Sequence, residues 1–332
     1  MSFSVVSLVL ALAQQQAVPV QDSAVWKTVR TSVVTIQNGG VAALIDDSGL
    51  FLAHASSVPG NQVKAKFFDG TQVTLIDVAT DEQTQLTLLK ATVWRQGTHN
   101  VVQVASTPAT AKLELLAVTT DGPKSGEFVT DGLTGVMRPS LRYVPLSEIR
   151  LASSDDQLGG AMVFNASGEL MGVLGATLST DSDKKGSRSN ALSGGGSAAE
   201  ALKFGLDKFG PQGLTVAYAL GREVLERVVD GFKSPTHKVD HPTIGIFFKA
   251  TVDGKGVYID TVMGGSPAAN AGLEPGDVIL EVDGEPVNNP VDLAVLLFRH
   301  NVGDVLSIKY MRGILKATTQ VKVEGSQSTL GL

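Results

Sequence analysis

One stretch of this chain leaves little freedom of local structure: Gly256–Gly284, GVYIDTVMGGSPAANAGLEPGDVILEVDG. Val257–Val262 is a strand of β-favouring residues. Ser266 is placed to cap a short helix, with Pro267 at the first helical position, where a missing N–H costs nothing. Gly272 ends that helix in the left-handed conformation. Pro275-Gly276-Asp277 turns the chain into the apolar strand Val278–Val282, and Asp283-Gly284 closes a hairpin. Asn289-Pro290 then opens a second helix, Val291–His300, which stops near Gly303. Leu306–Met311 and Thr318–Val323 complete a small sheet.

The 332 residues are too many for that unit alone. Upstream, short apolar runs alternate with Gly and Asp-Gly punctuation: Ser32–Gln37, Val41–Ile45, Leu50–Ala53, Val63–Phe68, Gln72–Val78 and Leu86–Ala91. That rhythm predicts a small antiparallel barrel. A second set follows in Val101–Ala105, Leu113–Val118, Gly126–Val129, Thr134–Arg138, Met162–Phe164, Leu170–Ala176 and Thr215–Ala219, and predicts a second barrel. The fold class is therefore mainly β. A Ser/Gly-rich stretch, Ser179–Gly213, reads as a surface insertion with a short helix near Ala198–Phe209. Gly221–Phe232 places Val224, Leu225, Val228 and Val229 on one helical face. The expected units are 24–92 and 99–220 for the barrels, 221–232 for the helix, 233–242 for a linker, 243–323 for the last domain and 324–332 for a tail.

Composition removes several kinds of chemistry. The chain has no cysteine, so disulfides and thiolate sites are excluded. Its five histidines lie far apart without metal-ligand spacing, and neither a metal nor a cofactor is expected. A formal charge of −6 without a basic block argues against a nucleic-acid partner. Val5–Ala13 is an apolar run followed by glutamines, with Ala11-Leu12-Ala13 in the small-x-small form of a cleavage site. Residues 1–13 therefore read as an export signal, and no stretch is long enough for a membrane span.

The element order over Thr243–Val323 resembles the bacterial PDZ domain. A PDZ domain takes an extended peptide as an added strand between a sheet edge and a helix. The resemblance implies a carboxylate-binding loop at Thr243, Ile244, Gly245 and Ile246, with Leu293 and Leu297 of the second helix as the opposite wall.

Three further segments resemble the HtrA/DegP family of trypsin-like serine proteases. Gly49–Val58, GLFLAHASSV, is similar to the segment that carries the family's catalytic histidine. Asp81–Lys90, DEQTQLTLLK, is similar to the one that carries the aspartate. Asp156–Met162, followed by Asn165–Val173, is similar to the nucleophile segment and the strand after it. The resemblance places Ser56, Gln85 and Leu158 at the triad positions. No catalytic residue is expected there, because serine attack needs an imidazole to take the proton and a carboxylate to orient the imidazole. Ser153, Ser154, Asp46-Asp47 and Asp155-Asp156 read as turn residues.

The sequence thus describes an exported protein of a bacterial periplasm or envelope, two trypsin-like barrels followed by a PDZ domain. It is expected to bind C-termini or extended segments of other proteins without cutting them. The family resemblance also admits a homo-oligomer. Two rivals stay open: an active endopeptidase with a non-standard site, and a holdase-type chaperone that uses the barrel cleft.

Overall fold

A computed structural model describes residues 20–137, 142–152, 158–175, 215–252 and 254–326. The export signal at 1–13, the whole Ser179–Gly213 insertion, residues 153–157 and the tail beyond 326 lie outside the described residues.

The first barrel closes from β1 (Val33–Ile36), β2 (Val41–Asp46), β3 (Leu50–His54), β4 (Gln62–Phe67), β5 (Gln72–Asp81) and β6 (Leu86–Ala91), in the order β1-β2-β3-β6-β5-β4. Its strands differ in pattern because they differ in surroundings. In β4, Val63, Ala65 and Phe67 are buried while Gln62, Lys64 and Lys66 face water. β2 from Val41 to Ile45 and β3 from Leu50 to Ala53 are apolar because both faces are covered. Ala42, Leu44, Phe51 and Ala53 fill the barrel, while Val41, Ala43, Ile45, Leu50 and Leu52 join a larger core shared with the second barrel.

The second barrel closes from β7 (Glu114–Thr119), β8 (Gly122–Met137), β9 (Arg142–Leu151), β10 (Met162–Phe164), β11 (Leu170–Leu174) and β12 (Thr215–Gly221), in the order β10-β11-β12-β9-β8-β7. Three expectations change here. Gly126–Val129 and Thr134–Met137 belong to one 16-residue strand, β8, with Arg138 outside the described residues; Asp131-Gly132 is a bulge, with register shifts on both sides of Thr130 and Gly132 at φ +81°. β9 went unforeseen because Pro145, Ser147, Glu148 and Arg150 obscure its alternation. Val101–Ala105 forms no strand; only Val104 bridges to Leu170.

Helix α1 (Ala24–Val29), also unforeseen, is capped by the Ser23 hydroxyl, which accepts from the Trp26 N–H. Helix α2 (Arg222–Lys233) buries Val224, Leu225, Val228, Val229 and Phe232 in the shared core.

The last unit is a sheet ordered β14 (Ile246–Ala250), β15 (Val257–Val262), β16 (Val278–Val282), β18 (Val305–Arg312) and β19 (Leu315–Lys322). The short β17 (Glu285–Pro286) pairs with β16, and helices α3 (Pro267–Asn270) and α4 (Pro290–Arg299) flank the sheet. The expected punctuation is present. Ser266 Oγ accepts from the Ala269 N–H, and Asn289 Oδ1 accepts from the N–H groups of Val291 and Asp292. Asp283 and Gly284 sit at φ +49° and +83°, the left-handed pair that a two-residue hairpin turn requires. β13 (Pro242–Thr243) pairs with β20 (Glu324–Gly325) and ties the two ends of this unit together.

This unit is docked on the barrels. Arg227 of α2 donates to the carbonyls of Phe298 and His300 at 2.8 and 2.9 Å, and its guanidinium lies 4.9 Å from the Phe298 ring centre. Phe298 itself belongs to the core shared by the barrels. His241, just before β13, places Nε2 2.8 Å from Asp81 Oδ1 at the end of β5, with both side chains buried. Among the described residues no helix is long and apolar enough to cross a membrane.

Candidate functional site

A groove of about 610 Å³ lies between β14 and α4. Thr243, Ile244, Gly245 and Ile246 close one end. Gly245 is at φ +73°, its N–H donates to Thr243 Oγ1 at 3.1 Å, and its carbonyl accepts from Met263 N. Ile244 is buried and holds the loop down by accepting from the Ala268 N–H. The helical wall is Pro290, Ala294 and Leu297. Leu293 was expected in that wall, but it is fully buried in the domain core and does not line the groove. On the helix 293 lies beside 297, about 40° away, but on the edge of the 290, 294 and 297 stripe that turns from the groove into the domain core. Gln83 of the β5–β6 turn and Tyr143 of β9 line the groove from the barrel side.

The second candidate lies between the barrels, where the structure brings Ser56, Gln85 and Leu158 to one junction. The Gln85 carbonyl accepts from the Ala55 N–H at 2.8 Å, which joins the β5–β6 turn to the short 3₁₀ turn Ala55–Ser57. The Leu158–Gly160 turn closes over the same place: a Cβ on Gly160, at φ +76°, would strike the Ser57 hydroxyl and approach His54 Cβ to 3.6 Å.

The side chains do not point at one another. Leu158 is 2% exposed and packs into the core of the second barrel. Gln85, at φ +60°, folds back so that Nε2 donates to the Glu82 carbonyl. Ser56 is exposed.

His54 ends β3 with its ring fully buried. Nδ1 lies 2.7 Å from Ser56 Oγ and also accepts from the Ser56 N–H at 3.3 Å, as a helix cap does. That bonding leaves the proton on Nε2, which has no partner among the described residues; neither has Ser57 Oγ. Burial pushes the imidazole down to about 4. A serine–imidazole contact therefore exists, but its ring is a weak base and no carboxylate orients it.

This burial has a consequence for stability. The unfolded chain binds a proton at His54 near pH 6.5 and the folded chain does not until about 4. Stability should fall by about 3 kcal/mol as pH drops through that window. Urea midpoints at pH 7 and 4.5 measure the loss, and His54→Leu should flatten the slope; an unchanged slope would place the titrating group elsewhere.

Residues 242–323 match the PDZ domain family. A serine protease Do-like HtrA of Lactococcus lactis is 28% identical over 284 residues, covering 79% of this chain and 63% of that protein. The putative serine protease HhoA of Synechocystis is 24% identical over 294 residues, covering 84% and 68%. The chain is a homologue of the HtrA/DegP serine proteases with a PDZ domain after its two barrels.

The solved HtrA-type protease AlgW with tripeptide shares the fold at a TM-score of 0.60 and 19% identity, over 91% of this chain and 96% of that one. The chain spans 63% of the length of the Lactococcus relatives it matches. The groove lies within the segment that matches the PDZ domain family, and the junction of Ser56, Gln85 and Leu158 lies between the two barrels.

Proposed function

We propose that this HtrA homologue binds C-terminal or extended peptide segments in its PDZ groove and does not hydrolyse them. The observation that carries the reading is the pairing of an open, apolar groove, closed at one end by the Thr243–Ile246 loop, with a barrel junction that presents no base, acid and nucleophile in register. In this reading residues 24–232 serve as scaffold, 243–323 as the binding domain and 233–242 as the link. A bound carboxylate takes over the Gly245 N–H now held by Thr243 Oγ1, and Ile244, Ile246 and Leu297 surround the last, apolar side chain.

Partners of this kind are proteins of a bacterial envelope. The apolar run at Val5–Ala13 supports export, as does a Hahella chejuensis relative named a probable periplasmic serine endoprotease DegP-like, 25% identical over 282 residues. The family also supports assembly of several copies.

The test is titration of a fluorescent peptide ending in an apolar residue. Gly245→Val puts a β-branched side chain at a positive φ and fills the carboxylate approach. It should weaken binding at least tenfold, about 1.4 kcal/mol. Binding indifferent to this change would remove the groove from the function.

One observation favours a second reading: the 2.7 Å contact between His54 Nδ1 and the exposed Ser56 hydroxyl is the start of a serine hydrolase site. Covalent labelling of Ser56 by a fluorophosphonate would select that reading. Suppression of aggregation by a chain ended at Phe232 would instead select a holdase.

A further inference from the structure

The interior of the second barrel is not filled. A cavity of about 120 Å³ lies under the β8–β9 hairpin and opens toward the start of α2. Its walls are apolar: Leu115, Phe128, Ile149, Val163, Met171 and Ala219. The bulge at Asp131-Gly132 accounts for the opening, since an extra residue bends a strand away from its partner and re-aims its side chains.

The rim is polar. Ser147, 7% exposed, donates its hydroxyl proton to Asp131 Oδ1 at 2.5 Å. That bond spends the one proton available between the two residues, so what they offer an occupant is acceptor oxygen. Glu223, also on the rim, adds further acceptor oxygens. Arg222 and Arg299 also line the rim, and Arg222 is occupied by Glu226 at 2.6 Å.

Size, wall and rim select one kind of occupant. An engineered apolar cavity of about 150 Å³ takes benzene, so this one takes a single six-membered ring. Where it meets Asp131 and Ser147 the ring's polar group must donate a hydrogen bond, and it must be uncharged, because the apolar walls offer a charge no solvation. We propose that the second barrel holds a binding site for a small uncharged aromatic alcohol, its ring among the barrel side chains and its O–H donated to the Asp131–Ser147 pair. The site is separate from the PDZ groove and independent of the function proposed for it.

Phenol is the probe, with toluene as the same shape lacking the donor, both titrated into the full chain and followed by ligand-observed NMR. Saturable phenol binding in roughly the millimolar range is expected for so few atoms, with toluene at least tenfold weaker. Two variants locate it. Ala109→Leu, at a half-buried position in the mouth, should abolish phenol binding, and Asp131→Ala, at an exposed bulge, should reduce it to the level of toluene. Circular dichroism and an unchanged urea midpoint confirm that both variants fold. Phenol that fails to saturate, toluene that binds equally well, or binding unchanged in folded Ala109→Leu would each overturn the proposal.

Discussion

Casein incubated with the full chain at neutral pH should stay intact, and a fluorophosphonate probe should label no serine. Removing a complete triad costs on the order of 10⁶ in kcat in a related enzyme, and what remains is lost in background hydrolysis. The exposed Ser56 hydroxyl has an imidazole at hand, but that ring is buried, takes up a second proton only below about pH 4, and has no carboxylate on its other nitrogen. A base that weak takes a serine proton poorly at pH 7. Leu158 adds nothing, since its side chain is turned into the core of its own barrel. Cleavage that survives in Ser56→Ala would point to a contaminant, whereas cleavage lost in that variant would make the chain a hydrolase.

Replacing Asp81 by alanine should cost about 1.5–3 kcal/mol, the range for a hydrogen bond to a charged group. His241 Nε2 binds Asp81 Oδ1, and its Nδ1 has no partner among the described residues, so the ring would be left buried with no hydrogen bond. The variant should show a lower urea midpoint and faster protease nicking of the 233–242 linker. A midpoint within about 0.5 kcal/mol of the parent would mean that the pair contributes no more than an exposed one.

The same carboxylate sets an acid limit. Burial raises the Asp81 carboxyl, but hydrogen bonds from His241 and Thr84 outweigh that and hold it below its ordinary value. A folded value below the unfolded one gives stability that is complete above about pH 4 and lost as pH falls through the folded value. Asp81→Asn should remove this limb while leaving the His54 slope at higher pH.

The PDZ domain was legible because its turns and caps are spelled by residues with few other uses: Ser266-Pro267, Asp283-Gly284 and Asn289-Pro290 each do in the structure what their chemistry suggests. The second barrel was harder. Asp131-Gly132 has the composition of a hairpin turn, and only its pairing with β9 shows it to be a bulge. Leu293 and Leu297 are equivalent in a helical repeat, and only the position of β14 decides which of them meets the groove. The resemblance located the junction of Ser56, Gln85 and Leu158 but said nothing of where the side chains turn. The Asp81–His241 pair had no local trace, since 160 residues separate its members.

Gln83 and Tyr143 bound the groove from the barrel side, and Arg227 and His241 hold the two units together there. The groove is thus walled on a third side besides β14 and α4. On the binding function proposed above, that wall favours a frayed tail or a stretch of slack chain over the sheet edge of a folded partner. Selection then begins with thickness, before any side chain is read, and favours proteins that have come partly undone.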